Sequence, residues 1–364
     1  MIDWDRSVLI CLGPGGVGKT TISAAAGIAG ALAGERVVVL TIDPAQRLAD
    51  TLGLARTSGH GLGGGTGLGN EPQLVSGPWP GELWAAMLDP AETLADIIRR
   101  HGSPGQARRV LGNPLFTTIA ESLSGINEYM AAERLHEFAG DPRFDRVIID
   151  TPPSRHAVDF LNSPERLTRF FDNRFYRSVL APRRGLIRSF NAAAQIVVRL
   201  TAKLVGAELV DDVVRLFADL EGLDKGFRQR AVEVSDLLHG PDCSYILITT
   251  ARREPIREAR WIRNSLERRG TTVDTYVVNR LAPWGHQPEP PPITKGRKAD
   301  RAALEENLEQ LRQLGQAEGE LIDELNRSRR PGVTAQTVRI EERTGPVRTI
   351  DDLVELATAL RPQL

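Results

Sequence analysis

Eight consecutive residues near the amino terminus, Gly13-Pro14-Gly15-Gly16-Val17-Gly18-Lys19-Thr20, set a lysine and a hydroxyl directly after a run of glycines. The spacing is G-x-x-x-x-G-K-[ST], and the chemistry it serves is the holding of phosphate. Glycines let the backbone wrap so that successive N–H groups turn toward phosphate oxygens. A helix opening at Lys19-Thr20 adds the positive end of its dipole. Lys19 then reaches the β- and γ-phosphates, the Thr20 hydroxyl binds Mg²⁺, and Thr21 follows in the same turn. Two carboxylates stand at comparable places further on: Asp43 after the apolar run 37–42, and Asp150 after 146–149. One can hold Mg²⁺ through water, and the other can orient or deprotonate an attacking water.

These side chains meet only if particular elements carry them to one place. Residues 7–12 read as a strand that ends at the Gly-rich turn, and 21–33 as an Ala-rich helix. Residues 36–42 form a second, Val-rich strand, 82–88 a weaker third, and 146–149, 245–250 and 273–278 follow as short β-rich runs. Strands that are apolar on both faces and alternate with helices predict a doubly wound, mainly parallel α/β sheet covered on both sides. In such a sheet the carboxyl ends of the strands line the ligand crevice, which is where the Gly-rich turn, Asp43 and Asp150 fall.

The remaining stretches read as helices and loops. Residues 91–138 form a helical segment, and 164–240 a helical subdomain inserted between strands, with apolar residues at helical spacing in 186–204 and 209–220. The core then comprises 1–90, 139–163 and 241–364. Its last part holds a long charged helix at 305–327 and a final one at 350–360, opened by Asp351 and Asp352. The glycines of 60–69 and the prolines of 282–297 mark exposed loops.

Composition narrows the function classes. Lys and Arg total 46 against 47 Asp and Glu, with no basic or acidic tail, so no nucleic-acid partner is expected. The amino terminus has no basic leader, and no run approaches the roughly 18 apolar residues of a membrane span, so a soluble cytoplasmic protein is expected. The two cysteines, Cys11 and Cys243, lie far apart in apolar runs and read as structural thiols. His136 and His156 have no partner at ligand spacing, so no transition metal is assigned.

Together the motifs resemble the arsenite-pump and tail-anchored-protein-targeting ATPase family, a deviant P-loop group related to the ParA and MinD partition proteins. Four places carry the resemblance in order. They are the loop from Gly13 to Thr21; Thr41-Ile42-Asp43-Pro44-Ala45-Gln46-Arg47-Leu48-Ala49-Asp50, similar to the first switch; Asp150-Thr151-Pro152-Pro153-Ser154-Arg155-His156, similar to the second; and Val277-Val278-Asn279-Arg280. The loop Thr249-Thr250-Ala251-Arg252-Arg253-Glu254-Pro255 also fits. The resemblance implies an ATPase using ATP and Mg²⁺. It implies that Asp43 polarises the hydrolytic water, that Asp150 sits behind Mg²⁺, and that Asn279, followed by Arg280, reads the adenine edge. It further implies a dimer, of two copies or with a paralogue, whose nucleotide sites face each other, and a helical insertion that binds a client or membrane partner.

The chain departs from the family pattern in two ways. Pro14 stands where the family has a lysine that reaches the partner's phosphates, so that contact is missing or made by another group, with Arg47 and Arg155 the candidates in the switches. The family's arsenite- and zinc-binding cysteines have no counterpart. The insertion carries none of the three methionines, and both an apolar client groove and an ordinary packed helical subdomain fit its pattern. A nucleotide-gated binding module, or a partner subunit with little activity of its own, is the alternative reading.

Overall fold

The computed structural model describes residues 2–42, 47–54, 69–114, 116, 126–153, 155–172, 215, 219, 223–283, 298–327, 335–343, 345–347 and 349–361. Asp43, the predicted helices of 186–204 and 209–220 other than Arg215 and Asp219, residues 60–68, and most of the proline-rich 282–297 stretch lie outside the described residues.

The run Val-Leu-Ile-Cys-Leu has no polar side chain, and it forms strand β1 (Val8–Leu12), buried throughout at the middle of an eight-stranded sheet. Its neighbours are β5 (Arg146–Asp150) and β6 (Cys243–Thr250), both parallel to it. Outward on one side lie β2 (Arg36–Thr41), β4 (Glu82–Met87) and β3 (Gln73–Val75). On the other side lie β7 (Thr275–Leu281) and β8 (Gln336–Glu341). The order is β3-β4-β2-β5-β1-β6-β7-β8, and all pairs are parallel except β3 with β4. The doubly wound parallel sheet expected from the apolar runs is therefore the architecture observed.

Because successive side chains of a strand point to opposite faces, each strand feeds two cores. Val8, Ile10 and Leu12 of β1 join one, with Val38, Leu40, Val147 and Ile149. Leu9 and Cys11 join the other, with Val37, Val39, Ile148 and Ile246. Helix α1 (Lys19–Leu32) covers the second face, and its alanines allow close approach to the sheet. The short α2 (Arg47–Thr51) and the last helix, Ile350–Leu360, share that face.

The first face carries most of the other helices. They are α3 (Pro90–His101), α4 (Pro104–Leu111), α5 (Ile126–Ala139), α6 (Arg155–Leu161), α7 (Ser163–Asp172), α8 (Asp224–His239), α9 (Arg253–Glu267) and α10 (Lys298–Arg327). The final helix is α11. Capping signals explain several ends. Asp89 accepts from the Glu92 N–H with Pro90 at the first helical position of α3, and Thr349 forms a capping box with Asp352 at α11.

Several boundaries differ from the sequence reading, for local or tertiary reasons. Among the described residues, the 91–138 segment holds α3, α4 and α5: α3 stops at Gly102, whose backbone is extended, and Ser103-Pro104 caps a new helix. The strand read at 273–278 is shifted to Thr275–Leu281, because pairing with β8 carries it past Val278. β8 and the antiparallel β3 were not expected. Of the described ends of the insertion, α8 packs into the sheet's own core through Phe227, Ala231, Val234 and Leu238, and α7 rests Leu167 against it. No helix among the described residues is long and apolar enough to cross a membrane.

Candidate active site

β1 delivers the chain into the Gly-rich loop at the carboxyl edge of the sheet. Gly13 is needed there for space as well as conformation. Its φ is +154°, and a Cβ would lie 2.1 Å from the Ile248 carbonyl oxygen of β6. Any other residue would push the loop away from the neighbouring strand. Gly16 and Gly18 also have positive φ, at +74° and +95°. The loop then enters α1, whose first bond runs from the Ile22 N–H to the Gly18 carbonyl at 2.9 Å.

Lys19 is buried, and its Nζ donates to the Pro14 carbonyl at 2.9 Å, so the ammonium spans the loop it belongs to. The Thr20 hydroxyl donates to Asp150 Oδ2 at 2.7 Å, and the Thr41 hydroxyl donates to the same oxygen at 3.1 Å. Asp150 is the last residue of β5 and is almost wholly buried. The predicted pair Thr20 and Asp150 is thus brought together across 130 residues of sequence. Thr41, at the end of β2, is a further member. Its place at the start of the first-switch segment, two residues before Asp43, is its only signal in the sequence. Thr151 continues the strand edge by donating its hydroxyl to the Cys11 carbonyl at 2.7 Å. Gly15 lies against the segment after β5, since a Cβ there would lie 3.8 Å from Pro153 Cβ.

Asn279 lies within β7 and not beyond it. Its Nδ2 donates to the Val17 carbonyl at 2.9 Å and its Oδ1 accepts from the Arg280 N–H at 2.9 Å. Beside it is a cleft of about 400 Å³, within the size of small-molecule sites. Gly18, Thr21 and Ile22 border it from the loop and α1, Asn279 and Arg280 from β7. Leu356 of α11 lines it too, and Glu341, Glu342, Arg343, Gly345, Pro346 and Val347, at and beyond the end of β8, complete it. That last segment was missed because β8 was missed. Alternating Val338 and Ile340, followed by Gly345-Pro346, are the strand and turn signals that would have found it.

The thiols take no part. Cys11 and Cys243 are buried, and burial pushes both up to about 12, so neither is a thiolate near neutrality.

Among parallel α/β sheets, a first strand that turns through such a loop, with its lysine inside, defines the P-loop nucleotide-binding class. The chain belongs to the anion-transporting ATPase family, whose profile matches residues 6–324. It is 26% identical to the ATPase GET3 of Malassezia globosa over 278 residues, 75% of this chain and 72% of that protein. It is 23% identical to the ATPase GET3 of Rhodotorula glutinis over 270 residues, 74% and 68% of the two chains. Protein Rv2184c of Mycobacterium tuberculosis is 27% identical over 281 residues, 75% of this chain and 59% of that protein.

Proposed function

We propose that this chain binds ATP with Mg²⁺ at the Gly13–Thr20 loop and hydrolyses it, coupling nucleotide state to a change in its switches. The observation that carries this reading is the Thr20 hydroxyl held 2.7 Å from the Asp150 carboxylate directly after the loop lysine. Hydroxyl and carboxylate oxygens are the hard donors that suit Mg²⁺. Thr20 would hold the ion and Asp150 would back it; Mg²⁺ supplies neutralisation of charge on the β- and γ-phosphates when bound. Lys19 exchanges the Pro14 carbonyl for phosphate oxygens. Gly15, Gly16, Val17, Gly18 and Thr21 contribute backbone and first-turn groups. Asp43 orients the attacking water. The cleft beside Asn279 and Arg280 takes the base, with Asn279 offering donor and acceptor side by side to adenine.

The two fungal relatives above are named as ATPases, which supports hydrolysis in this chain. With the family resemblance, the reading extends to a dimer, of two copies or with a paralogue, that binds a client or membrane partner. A second reading is favoured by one residue. Pro14 is buried and has no charge to extend toward a partner's phosphates. A nucleotide-gated module or a partner subunit, slow when alone, follows from that substitution.

Lys19→Ala is expected to lose ATP binding by calorimetry, and wild-type affinity in that variant would overturn the assignment of the loop. Asp43→Asn is expected to bind ATP and to slow single-turnover hydrolysis by about 10²-fold or more, because an amide cannot take a proton. If wild-type protein binds ATP but the two hydrolyse at the same slow rate, the gated-module reading replaces the enzymatic one.

A further inference from the structure

The Asn279 carboxamide sits between two things that a nucleotide would have to satisfy together, the phosphate loop and the base cleft. On the loop side its Nδ2 donates to the Val17 carbonyl across 262 residues of sequence. The same nitrogen packs onto Gly18, where a Cβ would lie only 2.6 Å away. Its Oδ1 is fixed in turn by the Arg280 N–H. Arg280 has a φ of +57°, the one non-glycine residue among the described residues in the left-handed region. An arginine adopts that conformation only where its surroundings hold it there. The carboxamide is thus clamped at its oxygen by backbone and presses its N–H onto the loop.

A trans peptide is planar, and its C=O and N–H point in opposite directions. Holding the Val17 carbonyl toward Asn279 therefore turns the Gly18 N–H the other way, which in the nucleotide site proposed above is the phosphate side. We infer that Asn279 is a positioning residue for the phosphate loop as well as a wall of the base cleft, so that base contact and phosphate grip are set by one side chain. This rests on the nucleotide reading of the site. A carboxamide has two N–H donors and an oxygen with two lone pairs. One donor and one lone pair are spent on Val17 and Arg280, which leaves one of each for the cleft.

The consequence is that Asn279 governs affinity for a ligand with no base at all. The test measures binding of MgATP and of magnesium tripolyphosphate by calorimetry in wild-type protein, Asn279→Ala and Asn279→Asp. Asn279→Ala is expected to weaken tripolyphosphate about tenfold, which is about 1.4 kcal/mol, and MgATP by at least as much, since ATP also loses the base contact. Asn279→Asp is expected to weaken both further, because it sets a carboxylate with no N–H against the Val17 carbonyl. Hydrogen exchange of the peptide containing Val17 and Gly18 is expected to quicken in ligand-free Asn279→Ala while that of β1 stays unchanged. Weakened ATP binding with unchanged tripolyphosphate binding and unchanged exchange would make Asn279 a base reader alone and overturn the inference. Wild-type protein that binds neither probe removes the nucleotide reading itself, and the exchange measurement then decides the positioning role without it.

Discussion

At the scale of single residues, the site is organised around one carboxylate oxygen. Asp150 Oδ2 accepts from Thr20 of the loop and Thr41 of β2, so three elements converge on an atom almost without solvent. Buried hydrogen bonds to a charged acceptor are the stronger kind, worth about 1.5–3 kcal/mol each. Asp150→Asn replaces half of that acceptor with N–H donors facing hydroxyls. If Asp150 backs the metal, the variant needs about 10–100-fold more Mg²⁺ for ATP binding, as loss of an outer-shell partner does elsewhere. A magnesium titration of ATP binding checks this, and an unchanged titration would leave Asp150 a purely structural strand end.

At the scale of elements, the loop is shaped from both sides. Gly13 lies against the Ile248 carbonyl of β6, and Lys19 closes on the carbonyl of Pro14. Proline fixes its own φ and restrains the residue before it. Pro14 therefore stiffens the loop at the place where it forgoes a charge. Charges supplied in trans are worth about 10³–10⁵ in rate in other phosphoryl transfers. Pro14→Lys is expected to raise turnover severalfold or more if the proposed face-to-face dimer forms, at some cost in nucleotide affinity. Turnover and affinity measured together separate the two effects. Acceleration on mixing with a paralogue, and not in Pro14→Lys, would assign the missing charge to that partner.

At the scale of the whole molecule, the end of the sheet opposite the site is fastened by one ionic cluster. Glu35 accepts from Arg146 Nε at 2.7 Å and from Arg361 at 3.0 Å, and both guanidiniums lie against the Trp4 ring. Arg146 also donates to the backbone carbonyls of Trp4 and Arg6. The segment before β1, the start of β5 and the end of α11 are thereby joined. Burial acts to raise the Glu35 carboxyl, but the two arginines outweigh it and hold it below its ordinary 4.5. A carboxyl lowered in the folded state contributes stability above its unfolded pKa and loses it as pH falls through the folded one. Glu35→Gln is thus expected to cost about 1–2 kcal/mol near pH 7. The gap from wild type should close as pH drops below 4.5. Denaturant unfolding of both proteins at several pH values checks it, and a gap independent of pH would show that packing, not charge, carries the contribution.

The phosphate loop and the parallel sheet around it were legible in the amino-acid sequence because both are written in short-range patterns. Glycines, a lysine and a hydroxyl at fixed spacing have one chemistry, and runs such as Val8–Leu12, apolar on both faces, have one place in a sheet. The strand-end position of Asp150 followed from the same pattern. Tertiary structure decided what depends on which distant segments become neighbours. It placed β8 beside β7, and with it the cleft wall that Glu341, Arg343 and Pro346 help form. It turned Thr41 onto Asp150, and it brought Asn279 to Val17 and Arg361 to Glu35, 326 residues apart. No local preference selects those partners. They are chosen when the two faces of the sheet are covered, since each polar group left inside must then find a donor or acceptor among whatever the packing has brought within reach.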